Sequence, residues 1–173
     1  MKAYIGLGAN VGERKKNMEL ALQELRRVVK ITGVSSLYES DPWGYPHQKK
    51  FLNAVVEIET SEEPLKLLSL LKGIESRIGR KKTFKWGPRV IDLDILLYDS
   101  RIVDSPKLKI PHPEIKNRAF VLIPLLELNE TIVYPKNEKQ LKDIVDISSL
   151  MEKQNVRKIA KFNIQTWEWD ETV

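Results

Sequence analysis

Apolar positions along this chain repeat with two periods, and the switches between them mark out the elements. Residues 2–8 read as a strand. Over 13–31, Met18, Ala21, Leu22, Leu25, Val28 and Val29 fall at the i, i+3, i+4, i+7 spacing of a helix with one buried face, and Gly33 is placed to stop it. Residues 34–40 read as a second strand, and 41–50, with Pro42, Gly44 and Pro46, as an irregular loop. Residues 51–60 alternate again: Ala54, Val56 and Ile58 face one way, Asn53, Val55, Glu57 and Glu59 the other. A second helix is predicted over 63–78, with Pro64 in its first turn, Leu67, Leu68, Leu71, Ile74 and Ile78 on one side and Gly79 as its stop. A loop at 79–89 leads into a strand at 90–98. Beyond it the pattern gives a short hairpin, a turn at Ile110-Pro111-His112-Pro113, an apolar segment at 119–128 and a helix near 138–147.

The order β-α-β-β-α-β is the split βαβ arrangement, an antiparallel sheet with both helices on one face. The class is α+β, and the other face of the sheet then needs a cover or a function. The main domain runs over residues 1–150. Residues 151–173, with Trp167 and Trp169, read as a C-terminal extension of it.

A chain of 173 residues makes one ordinary domain with a real core, and 42% hydrophobic with 31% charged residues excludes both a disordered and a membrane-spanning chain. The N-terminus enters a strand pattern with no apolar signal region, so the cytoplasm is the expected location. There is no cysteine, hence no disulfide and no thiolate chemistry. The charge changes the picture more. Residues 72–89 hold Lys72, Arg77, Arg80, Lys81, Lys82, Lys85 and Arg89 against Glu75 alone, so a net +6 sits in one window of a chain whose total is +5. Such a local field suits a polyanionic ligand; a solvated basic loop is the plainer alternative.

The window runs into Trp86-Gly87-Pro88-Arg89 and then Asp92-Leu93-Asp94. On a strand the two aspartates point the same way, with Cβ atoms about 6.6–7 Å apart. Aspartate is depleted in strands and costly in an apolar run, so the pair is either a solvent-facing stripe or a ligand set. The cations beside it favour the second, and a hard, all-oxygen shell of two Asp and phosphate oxygens suits Mg²⁺. Arg80, Lys82, Arg89, Lys107 and Arg118 are candidate phosphate contacts, with arginine supplying paired hydrogen bonds and lysine a point charge. His112, held between two prolines, has an unusually fixed backbone. Phe51, Asn53, Trp43, Trp86 and Phe120 could form a flat aromatic pocket with a polar end. Gly6-Leu7-Gly8-Ala9-Asn10-Val11-Gly12 is one residue too long for a dinucleotide fingerprint, and the element order is wrong for it; Gly8-Ala9-Asn10 reads as a strand-to-helix turn.

Trp86-Gly87-Pro88-Arg89 with Asp92-Leu93-Asp94 resembles the signature of the 6-hydroxymethyl-7,8-dihydropterin pyrophosphokinases of folate biosynthesis. Tyr4-Ile5-Gly6-Leu7-Gly8-Ala9-Asn10, Phe51-Leu52-Asn53-Ala54, and Pro111-His112 followed by Lys116-Asn117-Arg118 and Phe120 are similar to further segments of that family, in the same order. The resemblance covers about residues 1–150. It implies a ferredoxin-like fold and transfer of the pyrophosphoryl group of ATP to the pterin hydroxymethyl group, releasing AMP. It implies that Asp92 and Asp94 ligate two Mg²⁺ ions, and that Arg80 and Arg89 act on the phosphates during catalysis. His112 and Arg118 would also contact ATP phosphates, and Lys72, Glu75, Lys82, Ile95, Lys107 and Lys109 would complete the ATP side. Phe51 and Phe120 would sandwich the pterin, Asn53 and Ser40 would meet its polar edge, and Trp43 and Trp86 would sit on closing loops. Lys82 and Lys107 stand where arginine is common in the family, Lys72 where a glutamine is known, and Asp41 where a proline can occur.

On this reading a metal-activated hydroxyl, helped by Asp94, attacks the β-phosphorus, and loops at 41–50 and 79–87 exclude water. Neither a nucleic acid nor a membrane is an expected partner, and a monomer is the working expectation. Two other classes compete. An RNA-recognition domain would need an aromatic motif on the strand that here carries two aspartates. A regulatory nucleotide-binding domain would bind ATP without turnover.

Overall fold

The computed structural model describes residues 1–42, 47–79 and 88–171. Its order is β1 (Lys2–Ala9), α1 (Arg14–Arg26), β2 (Lys30–Val34), β3 (Leu37–Ser40), β4 (Phe51–Glu59), α2 (Pro64–Ile78), β5 (Asp92–Tyr98), β6 (Val103–Asp104), β7 (Lys109–Ile110) and α3 (Ala119–Leu128). There follow β8 (Val133–Tyr134), β9 (Lys139–Gln140), α4 (Leu141–Ile144), α5 (Ile147–Gln154), β10 (Arg157–Asn163) and β11 (Glu168–Glu171). The main sheet is antiparallel in the order β11-β10-β3-β4-β1-β5, with β2 also on β4. This is the expected α+β fold.

The first helix stops earlier than its periodicity predicts. It ends at Arg26, Val28 is 39% exposed, and residues 30–34 join the sheet. The run Val28-Val29-Lys30-Ile31-Thr32 is rich in β-branched side chains, which favour a strand once β4 offers a ladder. Gly33 therefore lies in a strand rather than at a helix cap. The second strand is two pieces on one neighbour. β2 pairs with the end of β4 and β3 with its start, and Ser35 makes the join by accepting the Val55 N–H on Oγ and donating its own N–H to the Val55 carbonyl. α2 matches its pattern, closed by Gly79 in the left-handed region at φ 108°. The helix expected near 138–147 is instead the short α4, with α5 as a separate helix capped by Asp146.

Alternation along the strands divides the core. Ile5, Leu7, Ala54, Val56, Leu93 and Ile95 pack with Met18, Ala21, Leu22 and Leu25 of α1 and Leu67, Leu71 and Ile74 of α2. Tyr4, Val55 and Leu96 face the other way, against Leu122 and Leu125. The apolar segment 119–128 is thus the helix α3, and it covers part of the second face. The extension adds β10 and β11 to the sheet edge, and Trp169 is wholly buried in the main core with its Nε1–H donated to the Ser35 carbonyl at 2.9 Å. No helix among the described residues is long and apolar enough to cross a membrane.

Candidate active site

The part of the second face that α3 leaves open is a cleft. Its floor is three neighbouring strands. Gly8 of β1 lies between Asn53 of β4 and Asp92 of β5, and Gly6 between Val55 and Asp94. Two glycines on the central strand remove every side chain between the carboxylates and the Asn53 amide. Phe51, Leu96, Arg89, His112, Arg118, Phe120 and Val121 complete the walls. Leu96 and Val121 were not singled out by the sequence reading, and the glycines were read as part of a strand and turn rather than as site residues. The signal for the glycines was present: Gly6-Leu7-Gly8 has the same two-residue period as Asp92-Leu93-Asp94, so both pairs face one side.

Four of the cleft residues, Asn53, Arg89, His112 and Arg118, have identifiable contacts that place them. The Asn53 Nδ2–H is donated to Ser40 Oγ at 3.1 Å, which fixes the carboxamide. Arg89 is held through its backbone. Its N–H is donated to Asn10 Oδ1 at 2.8 Å and its carbonyl accepts the Asn10 N–H at 2.9 Å, while Asn10 Nδ2 reaches Gln48 Oε1 and the Lys49 carbonyl. His112 follows the cis Ile110-Pro111 bond and donates its N–H to the Leu96 carbonyl at 2.9 Å. Its Nδ1 accepts the Glu114 N–H at 3.0 Å, which leaves Nε2 to carry the ring proton. Arg118 is the residue before α3, and its guanidinium lies 5.8 Å from the Phe120 ring centroid.

Glu75 is 2% exposed on α2 and accepts the Leu93 N–H at 2.7 Å. That amide lies between the two aspartates, so a helix carboxylate sets the strand that presents them. Lys72 pairs with Glu75 at 3.2 Å. Burial, then the Asp92 carboxylate, pushes Asp94 up to about 7, with Glu75 adding to the rise and Lys72 and Arg118 opposing it. Burial, then Arg118, pulls His112 down to about 4, so the ring is neutral at pH 7. Burial also lowers Arg118, against the pull of Asp94, Glu114 and Asp92.

The structure therefore brings Asp92, Asp94, Arg89, His112, Arg118, Phe51, Asn53 and Phe120 into one cleft, with Ser40 behind Asn53. It does not bring in everything expected. The Ile95 side chain packs in the main core, on the face away from the cleft, because it alternates with Asp94. Lys109 is on the β6–β7 hairpin, paired with Asp104, and Lys107 is exposed in the turn that joins those strands. Neither lysine lines the cleft. Arg80, Lys82, Trp43 and Trp86 lie outside the described residues. Among the described residues no group of three His, Cys, Asp or Glu could enclose a metal. Two carboxylates alone fit an ion that takes its other ligands from substrate oxygens and water, which is the habit of Mg²⁺ rather than of structural zinc.

The family model for 7,8-dihydro-6-hydroxymethylpterin-pyrophosphokinase matches residues 4–130, a stretch that holds every described residue of this cleft. The chain belongs to this pyrophosphokinase family. It is 43% identical over 140 residues to the 2-amino-4-hydroxy-6-hydroxymethyldihydropteridine pyrophosphokinase of Aquifex aeolicus, covering 81% of this chain and 88% of that one. It is 45% identical over 132 residues to the Bacillus subtilis protein of the same name, covering 75% of this chain and 79% of that one. The folic acid synthesis protein fol1 of Schizosaccharomyces pombe is 40% identical over 146 residues, a match that spans 83% of this chain but 20% of the relative. The fold is shared with the wild-type Plasmodium falciparum HPPK-DHPS structure with pteroate, at a TM-score of 0.75 and 16% identity, over 98% of this chain and 47% of that one. The chain thus spans about half the length of that solved protein. As a pyrophosphokinase-family member it is a transferase of folate biosynthesis.

Proposed function

We propose that the protein transfers the pyrophosphoryl group of ATP to the hydroxymethyl oxygen of 6-hydroxymethyl-7,8-dihydropterin, giving AMP and the pterin diphosphate. The observation that carries this reading is the strand floor, where a carboxamide suited to a flat heterocycle and a carboxylate pair suited to magnesium flank the same glycines.

In this reading Phe51 and Phe120 hold the two faces of the pterin ring, and the Asn53 carboxamide, fixed on Ser40, reads its polar edge. Arg89 and Arg118 grip phosphate oxygens, and His112 adds a neutral Nε2–H donor. Asp92 and Asp94 would hold two Mg²⁺ ions, which when bound neutralise phosphate charge and lower the pKa of the acceptor hydroxyl. The β-phosphorus must face that hydroxyl in line, with AMP opposite as the leaving group. Preset positions for ring and phosphates supply that alignment and reduce the entropic barrier. Glu75 contributes indirectly, through the Leu93 amide and so through the orientation of both aspartates.

Incubation with ATP, MgCl₂ and 6-hydroxymethyl-7,8-dihydropterin should release AMP and pterin diphosphate in equal amounts. Folded protein that binds ATP but yields no AMP would overturn the reading in favour of a regulatory nucleotide-binding domain.

A further inference from the structure

Gln154, the last residue of α5, lies beyond the stretch that the family model matches. Its side-chain amide makes two hydrogen bonds to consecutive peptide groups. Oε1 accepts the Ala119 N–H at 2.8 Å, and Nε2–H is donated to the Asn117 carbonyl at 2.8 Å. Those two groups flank Arg118. A single carboxamide thus pairs with Arg118 as a neighbouring strand would, and Arg118 has the extended backbone that such pairing needs, at φ −118° and ψ 104°. The same bond satisfies the first N–H of α3, one of the amides that a helix leaves without an internal partner. Arg118 itself provides no side-chain cap there.

The carbonyl of Gln154 also accepts the Asp41 N–H at 3.3 Å, at the start of the segment that leads towards Trp43. α5 is anchored for this task. Asp146 caps it, Leu150 packs against the cluster of Leu122 and Leu125 and against the small cluster of Tyr38, Ala119 and Val156, and Asn155 ends it in the left-handed region at φ 50° before β10 joins the sheet. A position at the end of a docked helix, next to a strand, has little freedom to drift.

We infer that Gln154 is a positioning residue of the C-terminal extension, which fixes the backbone of Arg118 so that its guanidinium is presented to the cleft. The inference rests on the proposed reaction only for the role of Arg118 as a phosphate contact. The hydrogen-bonded clamp stands on its own geometry. A displacement of a charged group by about 1 Å can cost up to about 100-fold in rate, so a lost clamp should be visible in turnover.

The test compares Gln154→Ala in the wild-type and Arg118→Ala backgrounds, by AMP release with ATP, MgCl₂ and 6-hydroxymethyl-7,8-dihydropterin. In the wild-type background kcat/KM should fall about tenfold, whereas in the Arg118→Ala background the same change should cost less than about twofold, because the group it acts through is gone. An equal factor in both backgrounds would overturn the inference, since a general loss of structure acts regardless of Arg118. Amide exchange reads the clamp without reference to the reaction. The Ala119 N–H should exchange at least about tenfold faster in Gln154→Ala, while the Leu122 N–H, bonded to the Arg118 carbonyl at 2.9 Å, keeps its protection. Unchanged Ala119 exchange would also overturn it. Gln154→Glu keeps the length and the acceptor for Ala119 but not the donor to Asn117. It guards against an unfolded alanine variant, and its Ala119 amide should stay protected while kcat/KM falls; a loss of that protection in a folded Gln154→Glu protein counts against the clamp. If the wild-type protein releases no AMP, the proposed reaction fails, and the exchange pattern alone decides on the clamp.

Discussion

Gly8 lies directly opposite Asn53 in the β1–β4 ladder, and a methyl group at position 8 would stand 3.0 Å from Asn53 Oδ1. The carboxamide cannot turn aside freely, because its Nδ2–H is committed to Ser40 Oγ. Gly8→Ala should therefore displace the amide that the proposed pterin site depends on, at an overpacking cost of about 1 kcal/mol in stability. The expected kinetic result is a KM for the pterin raised about tenfold with the KM for ATP little changed, a shift of about 1.4 kcal/mol in pterin binding. Steady-state kinetics with each substrate varied in turn checks it; an unchanged pterin KM would show that Asn53 is not at the pterin's edge.

Asp92 and Asp94 face the same side two residues apart, and Asp94 is surrounded by more acid than the buried cations offset. Without a divalent ion the pair repels itself, so Asp94→Asn should stabilise the fold by about 1–2 kcal/mol while abolishing transfer. Mg²⁺ should raise the melting temperature of the wild-type protein through binding to the native state, and leave that of Asp94→Asn almost unmoved. Thermal melts with and without MgCl₂ measure both. Equal Mg²⁺ shifts in the two proteins would remove Asp94 from the ligand set.

Much of this site was legible because strand alternation is a strict rule. Asp92 with Asp94, and Asn53 apart from Ala54, could be assigned to faces from spacing alone, and the faces are as expected. The same alternation places Ile95 in the main core, so any nucleotide contact there is left to its main chain. Lys107 was a candidate for its charge and Lys109 through the family resemblance, but neither carries information about direction, and the hairpin turns Lys109 onto Asp104. The early end of α1 was hidden because Val28 and Val29 continue the helical period, and only the β4 ladder decides for a strand from Lys30 onward. Gln154 gave no local signal at all, since its partners are 37 and 35 residues away in sequence.

The extension should carry a large share of the stability. Trp169 is fully buried, its backbone N–H is donated to Glu19 Oε2 at 2.9 Å, and its ring stands edge-on to Phe162 with centroids 5.4 Å apart. Trp169→Ala should cost about 3–5 kcal/mol, a large part of the stability of a typical domain. Trp169→Phe retains most of the apolar contact but leaves the buried Ser35 carbonyl without its indole donor, and should cost about 1–2 kcal/mol. Urea denaturation of the three proteins orders them. A Trp169→Ala midpoint close to wild type would show that the main sheet is stable without its outer strands.

Glu39 ties three elements together. Its carboxylate accepts hydrogen bonds from Arg157 of β10 and, at 3.1 Å, from Arg14 of α1, which also reaches the Lys50 carbonyl at 2.8 Å. Burial pushes this carboxyl up, but the two guanidinium groups outweigh it and hold it below its ordinary 4.5. The unfolded chain, with the ordinary value, then binds more protons than the folded protein in that range. The contribution is complete above about pH 4.5 and is lost as the pH falls through the lower folded-state value. Because Arg157 is more than half exposed, solvent screening limits it to about 1 kcal/mol. Glu39→Gln should therefore be less stable than wild type by about that amount at pH 7, and the gap should close towards pH 3. Other carboxylates titrate equally in both proteins, so the difference isolates this one. A gap that is the same at pH 7 and pH 3 would mean that the variant's loss comes from packing rather than from the charge of Glu39.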